Sequence, residues 1–155
     1  MAEITSFAEI QDEFMARISR IVWCTVTTVD RKDRPRARML HPVWEGSTGW
    51  IATGRDSFKA KHIAHNPYVS LSYWDPQHEQ VYAECHAEWI DDLDEKKRLW
   101  EFYKATPPPL GYDLSMFWEN ADDPGYGLLR LNPWRIELSA LGDMMKGQAP
   151  LVWRS

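Results

Sequence analysis

Residues 80–90 show the clearest alternation in the chain. Val81, Ala83, Cys85, Ala87 and Trp89 fall on one side, and Gln80, Tyr82, Glu84, His86 and Glu88 on the other. A period of two places each set on its own face of an extended strand. A strand with one apolar and one polar face is half-buried and belongs to an antiparallel sheet. This stretch therefore sets the class to which its neighbours must conform.

The neighbours do conform. Residues 21–29, IVWCTVTTV, are β-branched and read as a strand. Further strands are expected over 36–44, 50–53 and 68–74, and a last one over 126–141, with Pro133 its weak point. Helices fill the gaps. Ser6 and Glu9 have capping-box spacing, and Phe7, Ile10, Phe14 and Ile18 recur at helical spacing, which predicts a helix over 6–19. A second helix is expected to start behind Asp56 or Ser57, run to about His65 and stop at Asn66-Pro67. A third covers 94–105 and ends at Thr106 and the prolines 107–109. Residues 110–125 look irregular, and the tail beyond Gly142 has no clear pattern. Six strands, mostly joined as hairpins, with short helices between some of them, predict a mainly β fold: a small antiparallel barrel with peripheral helices. Neither a repeat nor a long linker interrupts residues 1–155, so one domain is expected.

Composition narrows the class of function. The 155 residues include 18 Lys and Arg against 23 Asp and Glu, a formal charge of −5. Overall acidity argues against a dedicated nucleic-acid binder. No apolar run approaches the ~18 residues that a membrane span needs. The acidic opening MAEITSFAEIQDEF does not read as a secretory signal. Cys24 and Cys85 are too few for a disulfide framework, which fits a reduced cytoplasm. The charge is unevenly spread. Residues 31–61 carry eight basic and three acidic side chains, a net of +5, which leaves −10 on the remainder. A cationic island in an anionic chain suits a small anion, whereas the remainder repels a long polyanion.

Three segments concentrate the chemistry. On a strand, Arg36 and Arg38 face the same way and repel each other unless an anion or carboxylates lie between them. Thr53-Gly54-Arg55-Asp56-Ser57-Phe58-Lys59 combines a glycine loop, hydroxyls, a helix N-terminus and a first-turn lysine, a natural phosphate seat. Tyr73-Trp74 leads through a turn to Gln80-Val81. Other roles stay open at this point: an ion pair of Arg38 with Glu84 or Glu88, a solvated Lys59, and a strand-edge amide at Gln80. His62 and His65 share a helix face, but no third metal ligand is evident.

In order and spacing, these segments resemble the flavin-binding split β-barrels related to pyridoxamine 5′-phosphate oxidase. The matching pieces are Arg38-Met39-Leu40, Thr53, Ser57-Phe58-Lys59, Asn66-Pro67-Tyr68-Val69-Ser70-Leu71, Trp74 and Gln80-Val81. Tyr126-Gly127-Leu128-Leu129-Arg130-Leu131 with Ile136-Glu137 is similar to the family's late strand, so the likeness spans roughly residues 20–138.

The resemblance implies a six-stranded split barrel that binds FMN as a homodimer, with the cofactor at the interface. Arg38 and Lys59 would hold the phosphate, supplemented by Arg36, Ser57, Lys61 and Arg55. Met39, Leu40 and His41 would follow the ring and ribityl chain, largely through backbone. Ala52 and Thr53 would contact the ring or the ribityl chain, Gln80 would hydrogen-bond the ring system, and Trp74 would line the cleft. The oxidase's late Arg-x-His-x-Arg signature is missing from LGDMMKGQAPLVWRS, Phe58 replaces a basic residue, and Pro42 or Val43 replaces a lysine. The vitamin-forming oxidase is therefore not expected. The expected function is FMN-dependent hydride transfer to or from a small organic substrate. The alternatives are a reductase using the deazaflavin analogue, whose longer anionic tail suits the extra basic residues, and a non-catalytic flavin-binding or stress-response protein.

Overall fold

The strands of residues 2–155, which a computed structural model describes, join in one nine-stranded sheet. In chain order they are β1 (Ala2–Ile4), β2 (Cys24–Val29), β3 (Pro35–Leu40), β4 (Val43–Glu45) and β5 (Thr48–Gly54). Then come β6 (Tyr68–Trp74), β7 (Glu79–Ile90), β8 (Tyr126–Ala140) and β9 (Leu151–Arg154). The helices are α1 (Gln11–Ile21), α2 (Phe58–His65), α3 (Leu93–Ala105) and α4 (Leu141–Met145).

The alternating segment is β7, held between β6 and β8, with Val81, Ala83, Cys85 and Ala87 buried. Across the sheet the order is β1-β9-β8-β7-β6-β2-β3. β5 leaves this path: it pairs with the first half of β8 and with β4. Every pairing is antiparallel except β1 with β9. The free edges of β3 and β4 are joined only through His41 and Pro42, so the barrel stays open there. This is the split.

Nine strands replace the six expected ones for local reasons. Pro42 has no N–H and restrains His41 to extended backbone, so the expected strand over 36–44 divides into β3 and β4. β9 comes from the tail, and β1 pairs with it. β8 does not break at Pro133. Glu84 faces Arg135 and Cys85 faces Pro133, so Trp134 is an extra residue in a bulge that carries the strand past the proline.

The start of β2 also moves. α1 runs on to Ile21, and Val22 then takes φ 69° while the Trp23 N–H bonds the Ile21 carbonyl at 2.8 Å. This γ-turn is strained for a β-branched residue. It delays the strand to Cys24 and leaves Trp23 more than half exposed.

α1 packs inward through Phe14 and Ile18, and Phe14 meets Trp44 edge-on at 4.9 Å. α3 is pinned to β5 by Tyr103, whose hydroxyl donates to the Trp50 carbonyl at 2.8 Å and accepts from the Ala52 N–H at 2.9 Å. Burying those polar groups is tolerable only because they are paired. Of the nine tryptophans, Trp44, Trp50 and Trp153 are buried, whereas Trp23, Trp74 and Trp134 are exposed. No helix among the described residues is long and apolar enough to cross a membrane.

Candidate functional site

Two clefts lie along the split. The first, of about 500 Å³, is lined by Arg38, Asp56, Ser57, Phe58, Lys59 and Lys61. Arg38 projects from β3, and its Nη1 donates to the Val26 carbonyl at 3.1 Å. Lys59 lies in the first turn of α2, behind Ser57 at the N-cap. The Ser57 side chain makes no capping bond, and its buried Oγ has no partner among the described residues. Among the described residues, neither Arg38 nor Lys59 has an ion-pair partner. Glu88, one alternative for Arg38, pairs with Arg130 instead.

Two uncompensated cations disfavour each other. Burial, then the nearby Arg38 charge, lowers the Lys59 pKa below its ordinary value. Burial, then Arg36, does the same to Arg38. Asp56, the only carboxylate in the lining, is exposed, and its field acts on Arg55. An anion here would relieve the repulsion, use the free amides of α2 and give Ser57 Oγ an acceptor.

The other basic residues divide. Lys61 lines the cleft, with its ammonium over the Phe58 ring at 5.6 Å. Arg36 does not line it; its guanidinium is exposed and lies 3.8 Å from Asp30. Arg55 is taken by Asp91 through bonds of 3.0 and 3.2 Å and stacks 4.6 Å over Trp89. Arg55 is thus engaged elsewhere and does not line the seat it was expected to supplement.

A smaller pocket of about 220 Å³ adjoins the first, sharing Phe58 and Lys61, and adds Arg31, Lys32, Arg34, Asp30 and His62. The Asp30 carboxylate is held well below its usual range by Arg34, and it accepts the backbone N–H groups of Lys32 and Arg34. His62 is buried, with Nδ1 2.9 Å from the Thr28 hydroxyl. Burial first, then Arg38, favours its neutral form. His65 turns to Asp33, so the two histidines do not converge. No group of metal-ligating side chains occurs among the described residues.

The second cleft, of about 300 Å³, lies two residues further along β3 and is lined mainly by apolar groups: Trp23, Leu40, His41, Ala52, Tyr112, Met116 and Phe117. The His41 ring sits 5.0 Å from Trp23 and 4.8 Å from Tyr112. Burial pushes the Tyr112 hydroxyl up to about 12 and keeps His41 below its ordinary value. Sequence reading reached Leu40, His41 and Ala52. It missed Trp23, which follows a turn no periodicity announces, and it named no individual residue of the wall from 112–117, a stretch without a repeating pattern.

The remaining candidates lie elsewhere. The Met39 side chain faces β2, where Sδ accepts from the Thr25 hydroxyl at 3.4 Å, so only its backbone lies along the split. Thr53 is buried beside Ala52, against Gly127, where a Cβ would fall 2.7 Å from the Thr53 carbonyl oxygen. Trp74 lines a separate pocket with Arg20, Asp75 and Gln77. Gln80 is held by the Tyr82 hydroxyl at 2.9 Å and the Ser139 hydroxyl at 3.3 Å. Within one chain neither Trp74 nor Gln80 lines either cleft.

Known structures share this architecture. A protein related to general stress protein 26 from Clostridium acetobutylicum superposes with a TM-score of 0.73 at 14% identity, covering 94% of each chain. A pyridoxamine 5′-phosphate oxidase-related, FMN-binding protein from Nostoc punctiforme gives 0.66 at 18% identity over 89% of this chain and 88% of that one. An F420 reductase gives 0.58 at 16% identity over 79% of this chain and 94% of that one. No curated protein matches the sequence. At these identities the structures speak for the fold alone. The family profile for pyridoxamine 5′-phosphate oxidase, however, matches residues 10–139, a span that takes in both clefts from Trp23 to Phe117. With its split barrel and its profile in agreement over most of the sequence, the chain belongs to the pyridoxamine 5′-phosphate oxidase family.

Proposed function

We propose that the protein is an FMN-binding oxidoreductase that works as a homodimer on a small organic substrate, with residues 1–155 acting as one domain. One observation carries the reading: Arg38 and Lys59 share a cleft and neither has an ion-pair partner among the described residues, beside the orphaned Ser57 hydroxyl at the start of α2. A phosphate meets all of those demands. The FMN-binding relative from Nostoc punctiforme is in keeping with it.

When bound, FMN supplies two-electron hydride chemistry. The residues of this chain bind and orient it. Arg38, Ser57 and Lys59 hold the phosphate, with Lys61 at the rim. Leu40, His41 and Ala52 face the ring system, and the backbone of Met39 and Thr53 guides the chain between. Trp23, Tyr112 and Phe117 exclude water from the ring end. Trp74 and Gln80 reach the cofactor only from a second copy, which is why the dimer belongs to the proposal.

A second reading has its own observation. The adjoining cationic pocket of Arg31, Lys32, Arg34 and Lys61 continues the phosphate seat, and a monophosphate does not need it. It favours a deazaflavin cofactor with a longer anionic tail, in keeping with the F420 reductase relative.

Titration of the apoprotein with FMN and with the deazaflavin, followed by visible absorbance, decides between them. Micromolar binding of one cofactor and reduction by a nicotinamide donor are expected. Failure of both cofactors to bind sinks the proposal. Tight FMN binding without turnover by any nicotinamide donor would make the protein a flavin binder rather than an enzyme.

A further inference from the structure

Five buried side-chain atoms have no hydrogen-bond partner among the described residues. Three of them, in Trp50, Trp89 and Arg130, line neither cleft. The other two belong to residues that line the site, one at each end: Oγ of Ser57 at the cationic cleft and Nε2 of His41 at the aromatic one. A buried polar atom without a partner is destabilising, and its presence in an open cleft marks where a ligand group completes the bond.

The chemistry of His41 says which group that is. The Leu110 backbone acts on the imidazole as a nearby carbonyl acceptor does, favouring a proton on the ring. Nε2 has no partner, so that acceptor lies on the Nδ1 side, and a carbonyl only accepts, which puts the proton on Nδ1. Burial favours the neutral ring. Nε2 is therefore a bare lone pair, an acceptor in a cleft that is otherwise apolar. Trp23, Met116 and Phe117 are 55%, 74% and 64% exposed, so space beside the imidazole opens by rotamer change and leaves the core intact.

We propose that His41 Nε2 selects the ligand of this cleft: a flat aromatic ring stacked among Trp23, Tyr112 and Phe117 that presents an in-plane N–H or O–H. The chemical class is a ring imide, a phenol or a hydroquinone, in preference to an aprotic ring of the same shape. This rests on reading the cleft as the ring-binding end of the proposed site. The donor belongs either to the cofactor ring or to the substrate, and the two are separable.

The test uses two matched pairs of phosphate-free probes on the full chain: riboflavin with 3-methylriboflavin for the cofactor ring, and 2-naphthol with naphthalene for a substrate. In at least one pair the donor-bearing member binds about tenfold tighter, and on its binding the ¹⁵N resonance of His41 Nε2 moves. A preference confined to riboflavin assigns the donor to the cofactor, and one confined to 2-naphthol assigns it to the substrate. His41→Phe abolishes the preference, and His41→Gln, which keeps an acceptor, partly restores it. The inference is overturned if neither pair discriminates, if the Nε2 resonance stays fixed on binding, or if the preference survives in His41→Phe. Lys59→Glu leaves the ratio within each pair unchanged, so failure of FMN to bind counts against the phosphate seat and not against His41.

Discussion

The two ends of the split are built on opposite principles. At one end Arg38, Ser57 and Lys59 come from two elements, the strand β3 and the start of α2. At the other, Trp23, Leu40, Ala52, Tyr112 and Phe117 come from four separated stretches of chain. The first end is a concentration of charge, and the second is a shaped apolar surface with one acceptor. The difference teaches how such a site divides its work. Charge at a helix start provides affinity for an anion at long range, while packed rings set orientation and choice at contact distance.

The sharpest way to break this comparison is charge reversal. Lys59→Glu and Arg38→Glu are each expected to weaken FMN binding about tenfold or more, given charge-assisted contacts worth about 1.5–3 kcal/mol each. Riboflavin, which has the ring but no phosphate, should bind both variants as it binds the wild type. Raising the salt concentration should likewise weaken FMN binding and spare riboflavin. Fluorescence titration measures both, and equal losses for the two ligands would show that the ends are not separate.

A smaller effect concerns the empty-handed cations. The folded-state pKa of Lys59 lies below its unfolded value, so between the two the unfolded chain binds more protons. Stability of the ligand-free protein should therefore rise with pH through the window from the lowered pKa up to 10.5. Lys59→Met should remove that rise and increase the melting temperature at neutral pH while weakening FMN binding. Thermal unfolding at a series of pH values checks this, and a variant that melts earlier than wild type contradicts it. The smallest effect is expected at Arg55. Although it sits in the same loop, its guanidinium is occupied by Asp91 and Trp89. Arg55→Gln should leave FMN affinity unchanged within error, and a tenfold loss would mean that the arginine exchanges partners on binding.

Much of the scaffold was legible in the chain. The alternation over 80–90 is a local signal, and β7 follows it nearly residue for residue. β6 occupies the expected 68–74, and α2 ends where Asn66-Pro67 stops it. These elements obey short-range rules of periodicity, capping and proline geometry. What misled the reading is also local in cause but tertiary in outcome. Pro133 looks like a strand breaker, yet a bulge at Trp134 lets β8 continue along an unbroken β7. The short β9 has no distinguishing pattern and exists because β8 offers it an edge.

The same division holds for the candidate site. The +5 island and the hydroxyl-glycine-lysine loop follow from sequence alone, because basic residues on neighbouring elements reveal themselves by count and spacing. Which of those cations is free does not. Arg55 and Lys59 stand four residues apart, yet one finds Asp91 from the end of β7 and the other finds no carboxylate. The aromatic cleft and the bare Nε2 of His41 were decided still more completely by the tertiary structure. They depend on a strained turn at Val22 that presents Trp23, and on a patternless segment that folds Leu110 and Tyr112 against His41. Sequence determines what each residue offers. Only packing over long chain separations determines which of those offers is left unanswered, and the unanswered ones make the site.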